Sequence, residues 1–165
     1  MQVLSVADLY GGKLCAALDR QHPRDMFDVK LLLENEGITS DIRKAFVVYL
    51  AGHDRPIHEL LDPKQKDMQA VYDREFVGMT SKAVGYAELA DARRQYIEAL
   101  RRDLSSEERS FLISIKQRAP DWSILGLQGI DKLPSLQWKL SNLAKMMPEK
   151  HVQYLQKLKN VLQAN

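Results

Sequence analysis

The sequence predicts an all-α protein, a compact multi-helix bundle of about seven to nine helices. Apolar residues recur at three- and four-residue spacing through most of the 165 residues, which is the period of a helix with one buried face. Alternation at period two is absent beyond a few residues. Helix start and stop signals also punctuate the chain at intervals that suit helices: Pro23, Thr39 with Gly52, Ser105 with Glu108, and Pro134.

The first helix is expected from about Val6 to Arg20, with Val6, Tyr10, Leu14, Ala17 and Leu18 as its buried stripe. Pro23 opens the second, whose apolar set is Phe27, Leu31 and Leu32. A third runs from about Thr39 to Ala51, capped by Thr39 or Ser40, with Ile42, Ala45, Phe46, Val48 and Tyr49 inward. Residues 56–61 form a short helical turn ended by Asp62 and Pro63, and 64–76 an amphipathic helix carrying Met68, Val71, Tyr72 and Phe76. From about Lys82 to Arg102 a long charged helix turns Tyr86, Leu89, Ala90, Tyr96, Ile97 and Leu100 inward. Its arginines 93, 94, 101 and 102 face solvent beside Asp91 and Glu98. Ser105 and Glu108 make a capping box for a helix over 106–118 with Phe111, Leu112 and Ile115 in the core. A short helical turn is expected over 122–127. Two closing helices follow, 134–147 with Leu136, Leu140, Leu143 and Met147 inward, and 149–163 with Val152, Leu155, Leu158 and Leu162. Trp122 and Trp138, set among leucines, are expected as core anchors.

The length suits one helical domain over 1–165 and is enough to bury roughly 70% of the unfolded surface. Twenty-four cations against 22 anions leave a net charge of +2, too small to imply a partner. The distribution is less even: six lysines follow residue 131 with one acidic residue, Glu149, giving +5 there and −3 elsewhere. That asymmetry fits either a solvated tail or an RNA-facing surface on the C-terminal helices. The single Cys15 excludes an intramolecular disulfide and fits packing in a reducing cytoplasm. No apolar run approaches the roughly 20 residues of a membrane helix, so no membrane partner is expected. The four histidines, 22, 53, 58 and 151, lack zinc-ligand spacing and adjoin turns or exposed helix faces.

Residues 1–36 carry the most informative polar pattern. Lys13 flanks the first apolar stripe, and Asp28 projects from the middle of the second helix with Arg24 and Asp25 one turn earlier. One reading is structural: Arg24 and Asp28 form an i,i+4 pair while Asp25 favours the helix N-terminus. The other is functional: Lys13 and Asp28 converge at the rim of a polar cleft, the lysine on a phosphate and the aspartate orienting a nucleophile. Gly11-Gly12-Lys13 is not a Walker motif, for it lacks the upstream glycine spacing and the following Ser or Thr.

The runs Asp8-Leu9-Tyr10-Gly11-Gly12-Lys13, Ala16-Ala17-Leu18-Asp19-Arg20 and His22-Pro23-Arg24-Asp25-Met26-Phe27-Asp28 closely resemble the later motifs of the AbiEii-like nucleotidyltransferase toxins. Those toxins belong to bacterial abortive infection, a phage defence, and to type IV toxin-antitoxin systems. Arg55-Pro56, His58-Glu59-Leu60-Leu61, Val77-Gly78-Met79-Thr80, Pro120-Asp121-Trp122 and Leu133-Pro134 to Trp138-Lys139-Leu140 extend the resemblance along nearly the whole chain. It implies transfer of a nucleotide from a nucleoside triphosphate to RNA, tRNA acceptor ends being targets of related toxins. It also implies Asp28 as the catalytic aspartate, Lys13 and Arg24 as nucleotide contacts, and Asp25 and Asp8 in support.

The family's metal signature, a Gly-Ser followed by Asp-x-Asp on an α/β core, occurs nowhere in this sequence. The nearest spacings, Glu34-x-Glu36 and Asp73-x-Glu75, lack the flanking strand that would aim two carboxylates at one ion. The chain is therefore expected to be the C-terminal portion of such a toxin, inactive alone. It is expected to hold no cofactor of its own, with Mg2+ and nucleoside triphosphate bound only with an N-terminal nucleotidyltransferase domain or chain. An exposed apolar rim of Tyr10 and Phe27 is expected where that domain docks. The alternative is a non-catalytic helical module that binds an antitoxin or partner chain.

Overall fold

A computed structural model describes residues 5–164. These fold into α1 (Val6–Arg20), α2 (Pro23–Asn35), α3 (Ser40–Gly52), α4 (Ile57–Leu61), α5 (Gln69–Val71), α6 (Tyr86–Asp103), α7 (Ser106–Lys116), α8 (Pro134–Ala144) and α9 (Pro148–Gln163). A π-helical turn (Tyr72–Phe76) extends α5 and a 3-10 turn (Ile130–Lys132) precedes α8. No strand occurs among the described residues, as the periodicity requires of an all-α bundle.

Local chemistry sets the helix ends. The Ser5 and Thr39 hydroxyls accept from the amides of Asp8 and Ile42 at the starts of α1 and α3, satisfying donors that a first turn leaves open. At α7 the box is reciprocal: Ser105 Oγ accepts from the Glu108 amide at 3.2 Å, and Glu108 Oε2 accepts from the Ser105 amide at 2.9 Å. The same carboxylate, 1% exposed, also accepts from Arg43 Nε at 2.7 Å, so one residue caps α7 and ties it to α3.

Helix α1 packs chiefly against α3, α2 bridges α1 and α6, α8 lies on α3, and α9 closes over α4 and α7. The α1 and α3 backbones come unusually close at Gly11, where an added Cβ would sit 2.7 Å from the Phe46 nitrogen and 2.8 Å from Ala45. Leu14, Ala17 and Leu18 of α1 then meet Phe46, Val47, Leu50 and Ala51 of α3 in the centre of the core.

Several faces are rotated from the expected ones. Val6, Leu31, Tyr49, Met147 and Val152 are exposed rather than inward, and Met26, Val29, Val47 and Leu50 take their places in the core. Apolar residues outnumber the positions facing the core in these helices, so spacing alone leaves the rotation ambiguous. Trp138 is 50% exposed and anchors nothing, whereas Trp122 packs on the Phe111 ring at 6.3 Å. The turn at 121–126 is not helical.

The expected helix over 64–76 begins only at Gln69. Gln21, ending α1 in the left-handed region at φ 51°, is buried; its amide donates to the Lys64 carbonyl at 2.9 Å and accepts from the Lys66 amide at 3.0 Å. Arg93 joins it, donating to Gln21 Oε1 at 3.2 Å and to the Lys66 carbonyl at 2.6 Å. Arg93 is 5% exposed, which corrects the expectation that it faces solvent; Arg94, Arg101 and Arg102 do pair at the surface with Asp91, Asp62 and Asp103. The segment 64–66 stays non-helical because its backbone groups are held by these side chains.

Lys139 supplies a second buried cation. Its ammonium donates to the carbonyls of His53 at 2.6 Å and Arg55 at 2.8 Å, fastening α8 to the α3–α4 connection. Burial pulls its pKa down to about 8, against smaller opposing effects of Asp54 and Cys15.

Two outcomes follow from this packing. Gly11→Ala is expected to destabilise, since overpacking by about 1–3 kcal/mol exceeds the roughly 1 kcal/mol of helix propensity regained. Gly12→Ala, whose Cβ would meet the Tyr49 ring at an ordinary 3.5 Å, is expected to stabilise by about 0.5–1 kcal/mol; urea midpoints of opposite sign check the pair. A lysine with a lowered native pKa burdens the fold while charged, and that burden lifts as pH rises from about 8 towards its ordinary value of 10.5. The stability advantage of the wild type over Lys139→Met should therefore widen between pH 7.5 and pH 10; a constant gap in urea titrations would contradict it.

Candidate functional site

With Gly11 turned to α3, a helix of about 100° per residue places Lys13 about 200° away, on the opposite side of α1. Val6 and Leu9 share that side, and α2 runs beside it. On α2, Arg24, Asp28 and Leu31 lie one above another at four- and three-residue spacing. The antiparallel pair α1–α2 thus presents one continuous face.

At its centre Lys13 Nζ donates to Asp28 Oδ2 at 2.7 Å, and the two side chains are 40% and 38% exposed. The structure brings together the two residues that sequence reasoning placed at a polar cleft. Near the hairpin bend Arg20 donates to Asp25 Oδ1 at 2.8 Å, while Asp25 Oδ2 is buried with no hydrogen-bond partner among the described residues. Asp8 lies five residues before Lys13, about one and a half turns away, at the start of α1. Its carboxylate accepts from the Ser5 hydroxyl at 3.1 Å, so its place is in the cap and beside a groove between α1 and α3.

Arg24 departs from expectation. It is exposed and makes no side-chain ion pair among the described residues, so Asp28 is paired by Lys13 across the helices and not by Arg24 along α2. The ammonium approaches Asp28 from the neighbouring helix, which an i,i+4 rule within α2 does not consider. The apolar rim also differs: Tyr10 and Phe27 are half-buried against the core, and Val6, Leu9 and Leu31, at 60%, 48% and 40% exposure, flank the ion pair instead.

The remaining motif residues are held by structure. Arg55 donates to Asp19 at 2.9 Å, and His58 is buried, against the expectation of an exposed face, with its ring edge-on to Tyr154 at 4.9 Å. His22 caps α2 by accepting from the Arg24 amide and meets Glu75 at 3.2 Å. Burial, reinforced by Asp19 and Asp54, raises the Cys15 thiol to about 12, which removes thiolate chemistry.

Glu34 is engaged by Lys30, Asp73 by Gln69 and Glu75 by His22 and Arg74. Among the described residues no three His, Cys, Asp or Glu side chains gather as metal ligands. The site's donor set, one carboxylate already held by an ammonium, does not fit a divalent cation, which wants several oxygens.

Sequence reasoning missed the buried lysines 116 and 139. Lys116 is 4% exposed on α7, with its ammonium 4.9 Å from the Tyr154 ring centroid. Burial first, then Lys139, Arg118 and Lys150, bring it down to about 8. Its place at the end of an otherwise apolar stripe, four residues after Leu112, was the available signal.

No described helix is long and apolar enough to cross a membrane. No curated protein and no solved structure matches this chain. The family model for the nucleotidyl transferase AbiEii toxin of type IV toxin-antitoxin systems matches residues 1–142, a span that includes the whole α1–α2 face and reaches into α8. On that match the chain belongs to the AbiEii nucleotidyl transferase toxin family.

Proposed function

We propose that this chain forms the nucleotide- and acceptor-facing half of a toxin that transfers a nucleotide from a nucleoside triphosphate to RNA, tRNA above all. It acts with a nucleotidyltransferase core, on the same polypeptide or a partner chain, that contributes the Gly-Ser and Asp-x-Asp residues missing here. Magnesium and the triphosphate are bound with that core.

The observation that carries this reading is the Lys13–Asp28 pair, set at 2.7 Å in the middle of an open face. A pair so exposed stabilises a fold by about 0–1 kcal/mol, so stability gives little reason for it. Its chemistry suits a transfer site: Lys13 is a point charge for a phosphate oxygen, and Asp28, once the ammonium turns to the phosphate, accepts a hydrogen bond from the acceptor hydroxyl and orients it. Arg24, which has no carboxylate partner among the described residues, adds a second phosphate contact from the same face. Asp25 restrains Arg20, and Asp8 sets the start of α1. Exposed Val6, Leu9 and Leu31 give the core an apolar rim to cover.

A second reading, a non-catalytic module for an antitoxin or partner chain, is favoured by a different feature. A largely apolar groove of about 560 Å³ runs between α1, α3 and the segment before α8, lined by Tyr49, Leu127 and Leu133. It lies beside the motif face and not on it.

The isolated chain is expected to transfer no label from any nucleoside triphosphate to tRNA above a Lys13→Ala control, with magnesium or manganese present. Joined to its core, Lys13→Ala and Asp28→Asn are each expected to lower transfer by about 100-fold or more. A double-mutant cycle on unfolding should return a coupling of only about 0.2–1 kcal/mol. Wild-type transfer by both variants would leave the module reading in its place.

A further inference from the structure

On the side of the bundle where α7, α8 and α9 meet, three ammonium groups converge on one ring: Lys116, Lys150 and Lys157 lie 4.9, 5.3 and 5.5 Å from the Tyr154 centroid. None of them is in an ion pair or side-chain hydrogen bond among the described residues. Each cation gains from the ring face, but three like charges held this close repel one another. Lys116 also bears the cost of near-complete burial.

Lys116, Lys139, Trp138 and Tyr154 line one small cavity of about 70 Å³. A water takes about 30 Å³ of the liquid, so the space suits a single tetrahedral oxyanion and is too small for a nucleotide. The carboxylate at its edge, Asp54, is already engaged by His53 Nδ1 at 2.8 Å and by the Arg55 amide at 2.8 Å. Trp138, half in solvent on the cavity wall, makes no ring or cation contact among the described residues. A cationic hollow beside an exposed aromatic plane is the combination that single strands use, one for a phosphate and the other for a base.

We infer that this cluster is an RNA subsite: one backbone phosphate of a single-stranded segment enters the cavity at Lys116, with Lys150 beside the Tyr154 ring that forms its wall, and the adjoining base stacks on Trp138. The inference rests on RNA being the acceptor in the proposed reaction, but on neither Lys13 nor Asp28. The excess positive charge after residue 131 is then an electrostatic approach path, with Lys145 and Lys157 as flanking contacts.

The test is fluorescence anisotropy of a labelled single-stranded RNA with the full chain and no nucleoside triphosphate, so that it succeeds or fails independently of transfer. Trp138→Ala should weaken binding about 5- to 100-fold. Lys150→Glu should weaken it and flatten the salt dependence by about 0.7 to 1.4 in log–log slope. Both side chains are exposed, so the test does not depend on whether the buried Lys116→Met variant folds. Inorganic phosphate in millimolar excess should compete. Wild-type RNA affinity in both exposed variants overturns the inference, as does a wild-type chain that does not bind RNA. Phosphate binding without RNA binding marks a free-oxyanion site and overturns it equally.

Discussion

The close approach of α1 to α3 at Gly11 governs the arrangement of the rest. A helix has one rotation about its axis, and seating a residue without a Cβ against the Phe46 backbone uses it up. Every other direction on α1 is then fixed: Leu14, Ala17 and Leu18 inward, Lys13 and Leu9 outward on the α2 side, and Gln21 at the end where it reaches residues 64–66. The glycine that resembles part of a phosphate loop acts through packing, and it acts on the candidate site by aiming the lysine two positions later.

A second layer of order comes from buried polar side chains that join segments far apart in sequence. Gln21 and Arg93 hold 64–66 out of a helix, Glu108 joins α7 to Arg43, and Lys139 clasps the carbonyls of His53 and Arg55. Such groups add less net stability than their hydrogen bonds suggest, because each was solvated before folding. Their effect is to select one arrangement, since leaving any of these groups unpaired inside the bundle would cost more than the bond returns. Arg55 shows the linkage: its guanidinium holds Asp19 at the end of α1, and its carbonyl holds α8.

This division explains how much the sequence made legible. Helix existence and helix starts follow from local chemistry, and Thr39, Pro23 and the Ser105–Glu108 box mark their helices to within a residue or two. Rotation and exceptions depend on distant partners. Nothing near Lys64 announces that Gln21 will claim its carbonyl, and nothing near Arg93 says that its partners lie 27 and 72 residues away. Tyr49 and Trp138 look like core residues because they are large and apolar, yet both stand in solvent. For the candidate site, the convergence of Lys13 and Asp28 was legible from two amphipathic faces. The partner of Asp28 was not, because the choice between Arg24 and Lys13 depends on the angle at which α2 returns along α1.

The molecule therefore separates two kinds of charge. Two cations that organise the fold, Arg93 and Lys139, are buried and donate to carbonyls and an amide oxygen. Others stand apart from that framework: Lys13 on the exposed face with Asp28, and the lysines around Tyr154, where Lys116 is buried without an acceptor among the described residues. A fold selected for stability alone would replace such a lysine with an apolar side chain of similar length, since an unpaired buried ammonium is a net cost. Its presence at the wall of a small cavity, beside a half-exposed tryptophan, is intelligible if an anion from outside the chain completes it. On the proposed reading the two faces divide the chemistry of one transfer: the first meets the reacting ends, and the second holds the strand that brings one of them.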